Sequence, residues 1–441
     1  MSGSPLEDLR AEASRVLHEN DRGEIVVAAP RLYPHQWSWD AAFIAIGLAR
    51  LSVPRALTEL RSLLRAQWAT GMIPHIVFSG AEGYFPGPDV WRTDRAAARP
   101  AGVETSGICQ PPVHAIALAR VVRLSTATGG PDAELAQDFA RDAVPRLASW
   151  HRWLATARNP EHTGLVQIHH GWESGMDNSP RWDAAYAAIA VDEQAELHRV
   201  DLAHVADPSE RPSDREYRRY LHLVAQMREV DYDDERTTQV VDFRMGDVFL
   251  TAVLALAAEE LAGLAADLGL EDAVADQRAI AEQSRAAVLS TLDPVSGLCR
   301  DWDARSRSWC SAPSLASFAV LLCGGDAAAY GRQRETLLGP EWAGHPRLRF
   351  ALPPTLPPDH PGFQPRTYWR GPVWPVMNWL FWWAADRSGD TALAAQWRRE
   401  GLAQLGDLSN GEYYHPLTGE WLGSRDQSWT AAAALDWIAA G

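Results

Sequence analysis

Residues 169–183, HHGWESGMDNSPRWD, gather three carboxylates (Glu173, Asp177, Asp183), two histidines and two tryptophans around a Gly-Met-Asp-Asn-Ser-Pro turn. Three kinds of chemistry compete for this stretch. Adjacent histidines point in different directions on regular structure, and the chain has neither an HExxH pattern nor a Cys/His quartet, so no metal is expected. A helix start accounts for part of it, with Ser179 as N-cap, Pro180 at the first helical position and Asp183 in the first turn. Trp172, Glu173, Gly175 and Asp177 are left without a structural need. A turn at Gly175, held against Trp172, would set Asp177 beside an apolar wall. Such burial raises a carboxyl pKa, as a general acid requires. Glu173 reads as a supporting residue.

A second carboxylate candidate lies far along the chain in NGEYYHPLTGEWLGSRDQSW, where Glu412 precedes an aromatic pair on a strand-like segment and Glu420, after the turn, reads as a surface residue. In FQPRTYWRGPVWPVMNW, Tyr368, Trp369 and Trp374 have the character of a sugar-pocket lining. Arg366 and Arg370 there either neutralise carboxylates or bind polar groups, unless Arg370 only anchors the loop by a salt bridge. In RLYPHQWSWDAAF, Tyr33, Gln36, Trp37, Trp39 and Asp40 run into another helix start, where Asp40 is either an N-cap or a holder of paired sugar hydroxyls.

Helices must position these segments. In 250–268 the apolar residues fall at 250, 253, 254, 257, 261, 264 and 268, one face of an α-helix. The same period predicts helices over 39–51, 54–69, 112–125, 132–155, 215–230, 272–292, 312–322, 373–386, 390–405 and 427–440. Strand-like alternation is nearly absent, apart from a candidate hairpin in DPVSGLCRDWDARSRSW. Loops rich in Pro, Gly and Trp precede alternate helices, as a closed toroid of paired helices would require. No fixed period of the solenoid kind is found, and no Ser/Gly-rich linker divides the chain. The expectation is one all-α domain over residues 1–441, with long functional insertions near 71–110 and 192–214.

Composition narrows the function. The 441 residues are 46% hydrophobic and 22% charged, an ordinary globular balance. A formal net charge of -16 with no basic run argues against nucleic acid, and means that an anionic ligand needs a local arginine cluster. Four cysteines without paired spacing fit free thiols in a reducing compartment. The N-terminal residues show no apolar signal core, and the longest apolar run is broken by Glu259 and Glu260. A cytoplasmic protein without membrane partners is expected, with self-association left open. Tryptophan is abundant, 20 residues against 10 each of Phe and Tyr, and many sit in loop contexts suited to stacking on sugar rings.

GWESGMDNSPRW resembles the acid-bearing signature of inverting glycosidases with an (α/α)6 barrel, the trehalases and glycoside hydrolase family 63. GEYYHPLTGE is similar to the base-bearing segment of family 63, and YWRGPVWPVMNWL to its aromatic sugar-binding loop. LYPHQWSWDAAF, GMIPHIVF, GYFPGP, TSGICQPPVHA, RPSDREYRRY and LGSRDQSWTAAA extend the resemblance over nearly the whole chain. No segment resembles the N-terminal β-sandwich of the eukaryotic processing glucosidases, which points to the compact bacterial members acting on glycosylglycerates. The resemblance implies an (α/α)6 barrel with lid-forming loops, no cofactor, and a small anionic glycoside as substrate. It implies Asp177 as general acid and Glu412 as general base, about 6.5–9.5 Å apart for inversion. Tyr33, Trp37, Trp39, Asp40, Gln110, Trp172, Tyr368, Trp369 and Trp374 would line the sugar subsite. His75, Tyr84, Arg211, Tyr217 and Gln427 would surround the glycerate, and the loop carrying Arg211 would act as a lid. Gln36 before the WSWD run and His415 after the tyrosine pair depart from the family pattern.

Overall fold

The computed structural model describes residues 4–81, 83–194 and 196–440. Twelve helices build its frame: α1 (Pro5–Glu19), α2 (Ser38–Ala49), α3 (Val53–Arg65), α4 (His114–Thr128), α5 (Pro131–Thr156), α6 (Val248–Asp267), α7 (Glu271–Ser290), α8 (Val320–Cys323), α9 (Ala327–Leu338), α10 (Pro375–Ser388), α11 (Thr391–Gln404) and α12 (Ser428–Ala439). The even-numbered helices form an inner ring, each packing on the next, and α12 returns to α2 to close it. Every odd-numbered helix packs outside an even one: α1 on α12, α3 on α2, α5 on α4, α7 on α6, α9 on α8 and α11 on α10. This is the expected (α/α)6 barrel.

Amino-acid type sorts the two rings. In α2 every residue from Ser38 to Leu48 is buried, and α6 is buried without interruption from Val248 to Ala258. A helix that is apolar all round must be enclosed. That explains why α6, long and apolar enough to resemble a membrane span, lies 89% buried inside the ring. Outer α3 instead buries one stripe, Val53, Ala56, Leu57, Leu60, Leu63 and Leu64. Small residues bring inner helices together: a Cβ on Gly47 of α2 would lie 2.4 Å from the Cα of Ala432 on α12.

The two ends of the barrel differ. Links from an inner helix to the following outer one are short: 50–52, 129–130, 268–270, 324–326 and 389–390. Links into inner helices are long: 20–37, 66–113, 157–247, 291–319, 339–374 and 405–427. All the long links therefore gather over the N-terminal ends of the inner ring. Short antiparallel pairings stitch them together. Gln36–Trp37 pairs with Ile76–Val77, and Tyr413–Tyr414 with Trp421–Leu422. Gln167–Ile168, Met245–Gly246, Trp302–Asp303 and Ser308–Trp309 form a four-stranded sheet, the last two strands being the expected hairpin.

Three helix expectations need correction. The helix anticipated over 312–322 is a 3-10 turn, Leu315–Phe318, followed by the four-residue α8. Ser314 caps the turn, and Gly324 at positive φ ends α8. Helices α1 and α9 were not anticipated. In α9 only Ala329, Gln333 and Leu337 are buried, too few for a visible apolar period. All four cysteines are free thiols.

Candidate active site

The long links enclose a pocket over the N-termini of the inner ring, and residues from five of them meet there. Asp40 enters from the first turn of α2, Gln110 from just before α4 and Gln427 from the N-cap of α12. Tyr33 and Trp37 come from 20–37, His75 and Tyr84 from 66–113, and Trp172, Asp177, Arg211 and Tyr217 from 157–247. Tyr368 and Trp369 come from 339–374, and Glu412 from 405–427. Trp39 completes the sequence-derived set on the wall.

Trp374, expected on the wall, stands behind it. Its ring stacks on Trp369 with centroids 3.7 Å apart and planes within 3°. Its indole N–H donates to the Tyr368 carbonyl at 3.2 Å. As N-cap residue of α10 it backs the pocket-lining Trp369. Tyr220, Trp429, Asp201 and His204 also line the pocket and were not anticipated. Tyr220 lies three residues from Tyr217 on the helix Asp214–Glu229, so helical spacing was a usable signal for it. Asp201 and His204 sit on a 3-10 turn, Val200–His204, that buries no residue and so carries no apolar period.

Glu412 is buried yet well supplied with donors. The Tyr33 hydroxyl donates to its Oε1 at 2.7 Å, and Ser424 donates its backbone N–H at 3.0 Å and its hydroxyl at 3.3 Å to Oε2. Arg211 Nη1 stands 3.8 Å away. Burial pushes this carboxyl above its ordinary range, while Arg211, Tyr33 and Ser424 oppose the rise. Gly423, at φ 71°, is needed here, because a Cβ would lie 2.4 Å from Glu412 Oε2.

Asp177 is half-buried and held differently. Burial pushes its carboxyl up to about 7; Arg211 opposes this and the charge of Glu412 adds to it. The preceding Gly175 takes φ 70°, as the turn reading required, but it abuts Trp39 rather than Trp172. Trp172 instead stacks on His75, with centroids 5.9 Å apart. Burial lowers His75 to about 3, so it is neutral and presents a ring nitrogen, Nδ1, with no partner among the described residues.

The neighbours of Asp177 have structural work. Glu173 takes two hydrogen bonds from Arg158, at 2.9 and 2.7 Å, and one from the His169 N–H at 2.6 Å. Burial alone would raise it, but these partners outweigh burial and hold it at about 2. Ser179 makes no side-chain cap; a 3-10 turn, Pro180–Trp182, starts the helix in its place. Asp183 then forms a two-pronged ion pair with Arg370, at 2.8 and 2.7 Å. Arg366 likewise anchors its loop, on Glu210 at 2.8 Å and on the exposed Glu420 at 3.0 Å.

Asp40 is not an N-cap, since Trp37 holds that position. It is buried, and burial together with the charges of Glu412 and Asp177 pushes it well above the usual carboxylate range. Arg211 brings positive charge among these acids. Its Nη1 donates to the Tyr33 hydroxyl at 2.9 Å, its guanidinium lies 4.4 Å over the Tyr368 ring, and Asp201 is 3.5 Å from its Nε. Among the described residues no group of three His, Cys, Asp or Glu side chains is arranged to hold a metal ion. The pocket thus holds a carboxyl raised to about 7 and a second carboxyl bound by three donors, between aromatic walls and beside the Arg211 guanidinium. That arrangement suits proton transfer to a leaving oxygen and from a water molecule.

Residues 33–430 match the family described as the mannosylglycerate hydrolase MGH1-like glycoside hydrolase domain. A glucosylglycerate hydrolase of Mycolicibacterium hassiacum is 49% identical over 436 residues, covering 98% of this chain and 97% of that protein. A mannosylglycerate hydrolase of Thermus thermophilus is 39% identical over 432 residues, covering 97% and 99%. The crystal structure of a GH63 mannosylglycerate hydrolase from Thermus thermophilus, in complex with Tris and D-glycerate, superposes with a TM-score of 0.88 at 37% identity, over 97% of this chain and 99% of that one.

Proposed function

The chain belongs to the mannosylglycerate hydrolase MGH1-like glycoside hydrolases of family 63, and on that premise we propose that it hydrolyses α-glucosylglycerate to glucose and glycerate with inversion at the anomeric carbon. The observation that carries this reading is the presence of Asp177 and Glu412 in one pocket, Asp177 raised to about 7 and Glu412 held by three hydrogen bonds from Tyr33 and Ser424. Asp177, near neutrality, gives its proton to the glycosidic oxygen as the bond to C1 breaks. Glu412 takes a proton from a water that attacks C1 on the opposite face. Burial raises both carboxyls, and the Tyr33 and Ser424 donors that oppose the rise at Glu412 favour it as the base and Asp177 as the acid.

Trp39, Tyr368 and Trp369 give the sugar an aromatic wall, and Asp40 offers it a hydrogen-bonding carboxyl. Arg211 meets the glycerate carboxylate with a planar fork, beside Tyr84, Tyr217, His75 and Gln427. Residues 192–214, which carry Arg211, fold over the bound glycerate as a lid. The enzyme works in the cytoplasm on a small anionic glycoside.

Glucose is preferred to mannose because the relative at 49% identity is a glucosylglycerate hydrolase, whereas the mannosylglycerate hydrolase noted above is 39% identical. The family description and the superposed structure bear the mannosyl name, so mannosylglycerate is the second reading. Glycerate release from both substrates, compared as kcat/KM, tests this; a higher value for mannosylglycerate reverses the assignment.

A further inference from the structure

We infer that Asp301, acting through Arg181, is a positioning residue for the general acid: it fixes the Met176–Ser179 turn on which Asp177 stands. The inference rests on the reading of Asp177 as that acid.

Arg181 is fully enclosed, and its Nη1 donates to both carboxylate oxygens of Asp301 at 2.9 Å, with Asp247 Oδ1 3.6 Å away. Its other nitrogens face the turn: Nε donates to the Ser179 hydroxyl at 3.3 Å, and Nη2 lies 3.5 Å from the Met176 sulfur. The guanidinium sits 4.0 Å over the Trp182 ring, whose N–H donates to the Met176 carbonyl at 3.1 Å. Met176 and Ser179 bracket Asp177, so one cation and one indole grip the turn from its inner side. On the outer side, the Asn178 side-chain oxygen accepts the Trp369 backbone N–H at 3.0 Å, which ties the same turn to the sugar-facing loop.

Asp301 refers that grip to the barrel. It is 120 residues from Arg181 in the chain, on the link into α8, and its Oδ1 also accepts the Val248 N–H at the start of α6, at 3.0 Å. Asp247, beside it, caps α6 by accepting from the Phe249 and Leu250 N–H groups at 2.8 and 3.0 Å. The inner helix and the acid turn therefore share one buried carboxylate. Asp301 itself lies off the pocket wall, on a neighbouring cavity with Asp293, Trp309 and Cys310. It cannot touch substrate, so its effect must pass through the turn. A general acid works only within hydrogen-bond reach of the leaving oxygen, so a small shift of the turn weakens proton donation and leaves the water-activating side in place.

The leaving group separates this role from a general structural one. Fluoride departs without protonation, so α-glucosyl fluoride needs the base but not the acid. Asp301→Asn is expected to lower kcat on glucosylglycerate about 100-fold, with KM little changed and kcat on the fluoride nearly retained. Ser179→Ala, which spares the buried ion pair, should give the same split at about fivefold, and serves if Asp301→Asn does not fold. Asp177→Asn, run in parallel, is expected to show the split most strongly. Equal losses on both substrates in Asp301→Asn or Ser179→Ala, or no loss, overturn the inference if Asp177→Asn still splits. Absence of a split in Asp177→Asn removes the acid reading and this inference with it.

Discussion

The Tyr33 hydroxyl joins Arg211 to Glu412: Arg211 donates to it at 2.9 Å, and it donates to Glu412 Oε1 at 2.7 Å. A hydrogen bond to the ionised form favours that form, so Tyr33 holds the carboxylate below the range to which burial drives it. Tyr33→Phe deletes the bond and keeps the ring. The acid limb of kcat, where Glu412 gains a proton, is expected to move up by about one pH unit. A pH–rate profile with an unmoved acid limb would show that Tyr33 does not tune the base.

Removing either proton carrier tests the pair directly. Asp177→Asn cannot protonate the leaving glycerate, and Glu412→Gln cannot accept a proton from water. Each is expected to lower kcat on glucosylglycerate by roughly 10²–10⁴-fold. Both amides keep the size of the side chain, so circular dichroism should match the wild type. Near-wild-type turnover in either variant takes that residue out of its role.

Asp177 also predicts how stability depends on pH. Its folded carboxyl titrates at about 7, above the unfolded value near 3.9. A raised carboxyl favours folding fully below the unfolded value, and that contribution is lost as pH rises through the folded one. Asparagine does not ionise, so Asp177→Asn is expected to melt above the wild type at pH 8, with the gap narrowing toward pH 5. The basic limb of kcat/KM should fall at about 7 for the same reason. A melting difference that shrinks as pH rises would contradict this environment for Asp177.

The sequence made the inner ring readable because buried helices such as α2, α6 and α10 carry long apolar runs, with Asp247 capping α6 and Pro375 opening α10. It hid α9, which buries three residues, and α8, which is one turn long. The pocket lining was legible as clusters of Trp, Tyr and carboxylate before inner helices. Trp374 shows the limit: residue type marks an aromatic site, but only packing decides which of two stacked indoles faces the ligand. The link from Arg181 to Asp301 was beyond reach, since pairing across 120 residues follows from ring closure and leaves no local pattern.

Arg211 should distinguish charged from neutral aglycones. It is the guanidinium beside Tyr33 and Tyr368, and an acidic chain needs such a cation wherever an anion is to bind. Arg211→Ala is expected to raise KM for glucosylglycerate tenfold or more, about the worth of one charge-assisted hydrogen bond. Because Arg211 also supports Tyr33, kcat should fall on charged and neutral glycosides alike. The discriminating quantity is KM: equal increases for glucosylglycerate and a neutral α-glucoside would show that Arg211 does not read the carboxylate.

The stereochemical course follows from what Glu412 is free to do. A nucleophile would have to reach C1 itself, but this side chain is pinned by Tyr33 on one oxygen and Ser424 on the other. A pinned carboxylate still accepts a proton from a water placed between it and the sugar. Attack by that water on the face opposite Asp177 turns an α-glycoside into a β-sugar. Proton NMR during the first minutes of glucosylglycerate hydrolysis, with enough enzyme to outrun mutarotation, should show the β-glucose anomeric signal before the α. If the α signal leads, Glu412 forms a covalent intermediate, and the water-activating role assigned to it falls.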